Sequence, residues 1–239
     1  MIQIILSKLQ GILIETIYTD EVVTLRQFVS FLDSNKTFTI IDWTEVIYPD
    51  SNPSYLSDNP RTQTEYYQDG KITATQLQHR RFQFWADKLA VTTQTLNSAF
   101  MTAMADICCL LPGAKELISA LTGKVNMGII TNGFTELQRV RLEKTGLKDV
   151  FAPLVISEQV GIAKPDIGIF EYALTHMGDI QREQVLMVGD NPHSDILGGM
   201  NAGFDTCWLN SENSVLPDGI KPSYQVTSLT QLQSLLFAA

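Results

Sequence analysis

Apolar and polar positions follow two rhythms along this chain, and the change between them falls near Leu111. Beyond it, short runs that are apolar nearly throughout recur at residues 125–130, 154–157, 184–189, 205–209 and, near the end, 224–226. Segments with apolar residues at helical spacing lie around them, at 114–121, 135–145, 167–177, 193–202 and 229–236. A run without alternation has no polar face to turn to water, so it predicts a parallel strand covered by helices on both sides. Strands and helices in alternation predict an α/β fold built on a doubly wound parallel sheet. Gly203 falls where the 193–202 helix should close through a left-handed residue.

Before Leu111 the spacing is helical and aromatic. Leu25, Phe28, Val29 and Leu32 share one face, as do Leu77, Phe82, Trp85 and Leu89, and then Leu96, Phe100, Met104 and Ile107. These positions predict a helical cap of residues 19–107 inserted into an α/β core made of residues 1–18 and 108–239. The aromatics are expected to pack the cap's own core. The Ser/Asn/Pro-rich stretch 50–64 reads as a long loop.

With 239 residues the chain can bury one sizeable core and a smaller inserted domain. Its net charge of −9 argues against a nucleic-acid polymer or an anionic membrane as partner. A free mononucleotide remains compatible, because a local lysine and a metal can override the global field. Cys108, Cys109 and Cys207 form an odd, sparse set without metal-ligand spacing and read as reduced thiols of a cytoplasmic protein. Lys8 interrupts the apolar start and no small-residue cleavage site follows, so no signal peptide is expected; nor is a bilayer span. The expected assembly is a monomer or homodimer.

Three strand ends carry candidate chemistry. Val185 to Val188 breaks into Gly189-Asp190, and Asp195 follows in the next segment. Two carboxylates there would repel unless a hard cation such as Mg²⁺ sat beside them. Thr131-Asn132-Gly133 joins an apolar run to a helix whose first N–H groups and dipole favour an anion. Lys164 precedes Pro165, which keeps the backbone before it extended and displays the lysine at a turn. Each has a plainer reading taken singly: Asp195 as a helix N-cap, Thr131 to Gly133 as a turn, Lys164 as a solvated charge.

Thr131, Lys164 and Gly189-Asp190 with Asp195, in that order at successive strand ends, resemble motifs II, III and IV of the haloacid dehalogenase (HAD) superfamily. The stretches 128–134, 138–143, 154–158, 185–190 and 195–203, with the earlier 68–73 and 76–82, resemble the bacterial pyrimidine 5′-nucleotidase branch of that family. The resemblance implies a HAD-like Rossmannoid core, Mg²⁺ as cofactor and hydrolysis of nucleoside 5′-monophosphates. It implies that Thr131, Asn132 and Lys164 hold phosphate, that Lys164 also serves catalysis, and that Asp190 and Asp195 hold the metal.

The front of the chain departs from that pattern. The family opens on Asp-x-Asp, the first Asp attacking phosphorus and the second acting as general acid and base, yet no Asp precedes Asp20 here. Matching Glu15-Thr16-Ile17-Tyr18 to the tail of the motif puts Ile12 and Ile14 at the two carboxylate positions. Setting Lys8 to Leu13 against the motif also loses both carboxylates, and Asp42, after Ile40-Ile41, reads as cap. Glu15 is the one nearby carboxylate, and its longer side chain would displace the attacking oxygen by about 1 Å, a shift worth on the order of a hundredfold in rate. The resulting expectation is a phosphatase with most of its site and no identified nucleophile. The alternative is a non-catalytic HAD-fold protein that binds phosphate or nucleotide or serves in interactions. A dehalogenase is disfavoured, since it needs no Mg²⁺ and also needs the missing Asp.

Overall fold

A computed structural model of the protein describes residues 11–14, 66–83, 86, 87, 90–106 and 108–237. The candidate nucleophile Glu15, the aromatic face from Leu25 to Leu32, Asp42, the 50–64 loop, Trp85, Leu89 and Ile107 lie outside the described residues. The chain divides into two compact units, Met1–Tyr18 with Cys109–Ala239, and Thr19–Cys108.

In the larger unit the described residues form a six-stranded sheet, every pairing parallel, in the order β3-β2-β1-β4-β5-β6. The strands are β1 (Gly11–Ile14), β2 (Asn126–Thr131), β3 (Leu154–Ile156), β4 (Val185–Gly189), β5 (Asp205–Leu209) and β6 (Tyr224–Val226). Every residue of β4 is buried, as the unbroken apolar run predicts. The order reverses direction beside β1, and the crevice at the carboxyl ends of strands at such a reversal is where open α/β sheets bind ligands.

The described part of the smaller unit contains α1 (Ala74–Arg80) and α2 (Thr93–Asp106). Thr73 starts α1 with a reciprocal cap: its hydroxyl accepts from the Gln76 N–H at 3.2 Å, and Gln76 Oε1 accepts from the Thr73 N–H at 2.9 Å. Leu77, Phe82, Leu96, Phe100 and Met104 are buried, so the expected apolar faces do pack inward where they are described. The helix drawn through Leu77 and Phe82 is interrupted, since α1 ends at Arg80.

The larger unit continues with α3 (Ala114–Leu121), α4 (Thr135–Thr145), the single turn α5 (Ser157–Val160), α6 (Ile167–His176), the short α7 (Gly198–Asn201) and α8 (Leu229–Phe237). Asp166 caps α6 by accepting from the Gly168 N–H at 2.8 Å. Ile169, Phe170 and Ala173 from α6 pack with Ile130, Val155, Val185 and Met187 into one core cluster. A second cluster joins Ile196, Trp208 and Ile220. The expected 193–202 helix divides: residues Pro192–Leu197 wind as a wider π-type turn before α7 begins. Asn191 starts that turn, its side-chain oxygen accepting from the His193 and Ser194 N–H groups at 2.9 Å each. Gly203 does take the left-handed conformation after α7, at φ 77°. No helix among the described residues is long and apolar enough to cross a membrane.

Candidate active site

Lys164 lies between α5 and α6 and is among the largest fully buried side chains of the described residues. Its Nζ donates to Asp195 Oδ1 at 2.7 Å and to the Ile130 carbonyl at 3.0 Å. The ammonium is thereby tied to the end of β2 and to the loop after β4. Burial pushes its pKa below the ordinary lysine value, while the facing Asp195 and the more distant Asp190 charge act against that shift. Removing either partner from such a pair would strand a buried charge, which typically costs about 3–5 kcal/mol.

Asp195 is fully buried and its two oxygens are committed. Oδ1 accepts from Lys164 and also from Ser194 Oγ at 3.0 Å; Oδ2 accepts from the Asn191 N–H at 3.1 Å. Asp195 organises the loop and neutralises Lys164, whereas Asp190, directly after β4, is exposed. Among the described residues no three His, Cys, Asp or Glu side chains cluster as a metal cage. A hard cation such as Mg²⁺ is commonly held by one or two carboxylates with several waters, and the exposed oxygens of Asp190 suit that donor set.

Asn132 Oδ1 accepts from the Lys164 N–H at 2.8 Å and its Nδ2 donates to the Lys164 carbonyl at 2.9 Å. The side chain thus mimics a strand partner for one residue of a distant loop. Thr131 is also buried; its Oγ1 accepts from the Gly133 N–H at 3.0 Å and lies 3.5 Å from Gln138 Nε2. With donors aimed at the oxygen, the hydroxyl proton is directed elsewhere, as needed for donation to a phosphate oxygen. Gln138, a buried polar residue of α4, is the neighbour that sequence reasoning missed. Its only sequence signal is an amide on an otherwise apolar helix face. Gly133 makes the approach possible, because a Cβ there would lie 2.6 Å from Gln138 Nε2. The start of α4 is partly used as well: the Thr135 N–H donates to Glu158 Oε2 at 2.8 Å, so a carboxylate occupies one donor expected for an anion.

Between them in the sheet, β1 pairs with both β2 and β4. Ile12 is level with Met127 and Leu186, and Ile14 with Val188. At about 3.3 Å per residue, Ile12 sits roughly 13 Å short of the level of Asp190. In this register Ile12 is paired within the sheet, and Ile14 is nearer its carboxyl edge. Glu15 is the next residue in sequence.

Comparison with known proteins bears on the same elements. The sequence pattern of a hydrolase family described as haloacid dehalogenase-like hydrolase matches residues 28–203. The chain is 50% identical over 222 residues to pyrimidine 5′-nucleotidase YjjG of Escherichia coli (strain K12), covering 93% of this chain and 94% of that protein. It is 35% identical over 127 residues to pyrimidine 5′-nucleotidase PynA of Streptococcus pneumoniae (strain ATCC BAA-255 / R6), covering 53% and 54% of the two. Among solved structures, the magnesium-bound HAD-hydrolase YfnB of Bacillus subtilis superposes with a TM-score of 0.78 at 24% identity, covering 96% of this chain and 99% of that one.

Proposed function

The chain belongs to the haloacid dehalogenase-like hydrolases, and on that premise we propose that it hydrolyses nucleoside 5′-monophosphates, pyrimidine nucleotides first, with Mg²⁺. The observation that carries this reading is the buried Lys164–Asp195 pair, held at the end of β2 beside the Asp190 loop. The nucleotidase activity named for YjjG and PynA supports the substrate class.

In this reading the core is residues 1–18 and 108–239, and residues 19–107 are the inserted cap. Lys164 offsets negative charge as the phosphoryl group transfers, and its fixed position avoids reorganisation at that moment. The Thr131 hydroxyl donates to a phosphate oxygen, while Asn132 holds the Lys164 main chain in place. Asp190 holds Mg²⁺, and Asp195 contributes through Lys164 and the Asn191 N–H. Mg²⁺, when bound, would lower the repulsion between an anionic attacking group and an anionic phosphate. The sparse cysteines, with no disulfide among the described residues, suit a reducing, cytoplasmic compartment, and a monomer or homodimer suffices.

The opening strand favours a second reading. β1 reads Gly-Ile-Leu-Ile, with no carboxylate, where the family carries its attacking Asp. Losing a covalent nucleophile typically costs several powers of ten in rate while binding survives. A phosphate- or nucleotide-binding protein of the same fold would use the same Lys164, Thr131 and Asp190. Phosphate release from UMP and dUMP with Mg²⁺ separates the two. The phosphatase reading expects release at least about a thousandfold slower than by a relative with both carboxylates, abolished by Asp190→Asn and reduced further by Glu15→Gln. Release that is undetectable, or indifferent to Asp190→Asn, overturns it in favour of the binding protein.

A further inference from the structure

Trp208 is 2% exposed and lies on β5 level with Gly189, the last residue of β4. Its indole Nε1–H donates to the carbonyl of Asp190 at 2.8 Å. The pairing of β4 with β5 runs as far as Gly189 opposite Trp208. The indole adds a side-chain hold on the main chain one residue beyond the strand. Behind it, Ile196 and Ile220 pack the ring into a small core cluster, which gives the N–H a fixed direction. Ile196 belongs to the same turn as Asp195, so the cluster also braces the loop that begins at Asp190.

We propose that Trp208 is a positioning residue for the metal: by holding the Asp190 carbonyl it sets the backbone from which the Asp190 carboxylate takes Mg²⁺. The proposal rests on the reading of Asp190 as the metal-holding carboxylate. A hydrogen bond at the carbonyl restrains the main chain from which the Asp190 side chain projects, and a cation is sensitive to that restraint because its oxygen ligands must converge. Loosening it would leave the charge in place and blur its orientation, so affinity should fall without a collapse of the fold.

The test is Mg²⁺ titration of the full chain by thermal shift, without substrate, for wild type, Asp190→Asn and Trp208→Phe. Phenylalanine keeps most of the ring's packing and deletes only the donor. The expected result is a saturable rise in melting temperature for wild type, none for Asp190→Asn, and for Trp208→Phe a metal-free melting temperature near wild type with a Mg²⁺ dissociation constant raised about three- to tenfold, the usual worth of one hydrogen bond. Equal titrations for wild type and Trp208→Phe, with Asp190→Asn silent, overturn the role of Trp208 and leave the metal reading standing. A wild type unmoved by Mg²⁺ overturns both. Should Trp208→Phe fail to fold, the wild-type donor is followed directly by NMR in a Trp43→Phe/Trp85→Phe background, where Trp208 is the sole indole. Its N–H signal should shift with the same Mg²⁺ midpoint; a signal unmoved through the titration overturns the proposal.

Discussion

Lys164 gathers contacts from two segments that are far from it in sequence: the end of β2, through the Ile130 carbonyl and, at its own main chain, the Asn132 amide, and the turn after β4, through the Asp195 carboxylate. Because both charges of the pair are buried, their separate removal differs sharply from their joint removal. Lys164→Met is expected to lower unfolding free energy in urea by about 3–5 kcal/mol, by stranding the Asp195 charge. Adding Asp195→Asn should recover a substantial part of that loss; a double variant as unstable as the sum of the two singles would mean that the pair does not couple. At this scale the sequence showed which residue types matter, since Thr131, Lys164, Asp190 and Asp195 follow apolar runs in a distinctive order. It did not show their partners. Asn132 reaches the main chain of Lys164 across 32 residues, and Gln138 reaches Thr131 from the next helix, pairings that no local spacing encodes.

Elements place these side chains by how closely they approach. A Cβ at Gly189 would overlap the Asp195 side chain, so the end of β4 admits the buried carboxylate only because glycine is there. Gly189→Ala should destabilise the chain by about 3 kcal/mol, the upper end of an overpacking cost, lowering the melting temperature by roughly 6–12 °C at this chain length. An unchanged melting curve would show that Asp195 can relax away from Lys164. On the neighbouring β5, burial pushes the Cys207 thiol up to about 12 from 9.0. The sign follows from the raised value: the contribution to stability is fully present below pH 9.0 and is lost as pH rises towards about 12. Cys207→Val should flatten wild-type stability over that alkaline window, and Cys207 should resist thiol reagents at pH 8 in the folded chain while exposed Cys109 reacts. Most elements of the larger unit were legible in the apolar pattern because their strands are buried on both faces. The turn after β4 was not: Asn191 and Pro192 start it early, and Asp195 is drawn back towards Lys164 and the Asn191 N–H, widening what periodicity alone reads as one helix.

Across the whole molecule, alternation of strands and helices announced a doubly wound sheet, but periodicity carries no information on strand order. The position of β1 between β2 and β4 emerges only from the pairing, and with it the four-residue offset that keeps Ile12 away from the level of Asp190. In the proposed reading, a chain with net charge −9 would hold a phosphate by local means, through a buried lysine, a directed hydroxyl and a metal-holding carboxylate, because its overall field repels anions. The central claim is that this anion- and cation-holding half of the site works although the first strand lacks the family's carboxylates. The most direct test is the melting temperature of the wild-type chain with millimolar inorganic phosphate and Mg²⁺ together, set against each alone and against Asp190→Asn. Phosphate and Mg²⁺, each at about ten times its dissociation constant, should together stabilise the folded state by about 2.8 kcal/mol, about 1.4 kcal/mol from each, a rise of roughly 6–11 °C, larger than either gives alone and lost in Asp190→Asn. A wild-type curve that does not move with both present would contradict the account.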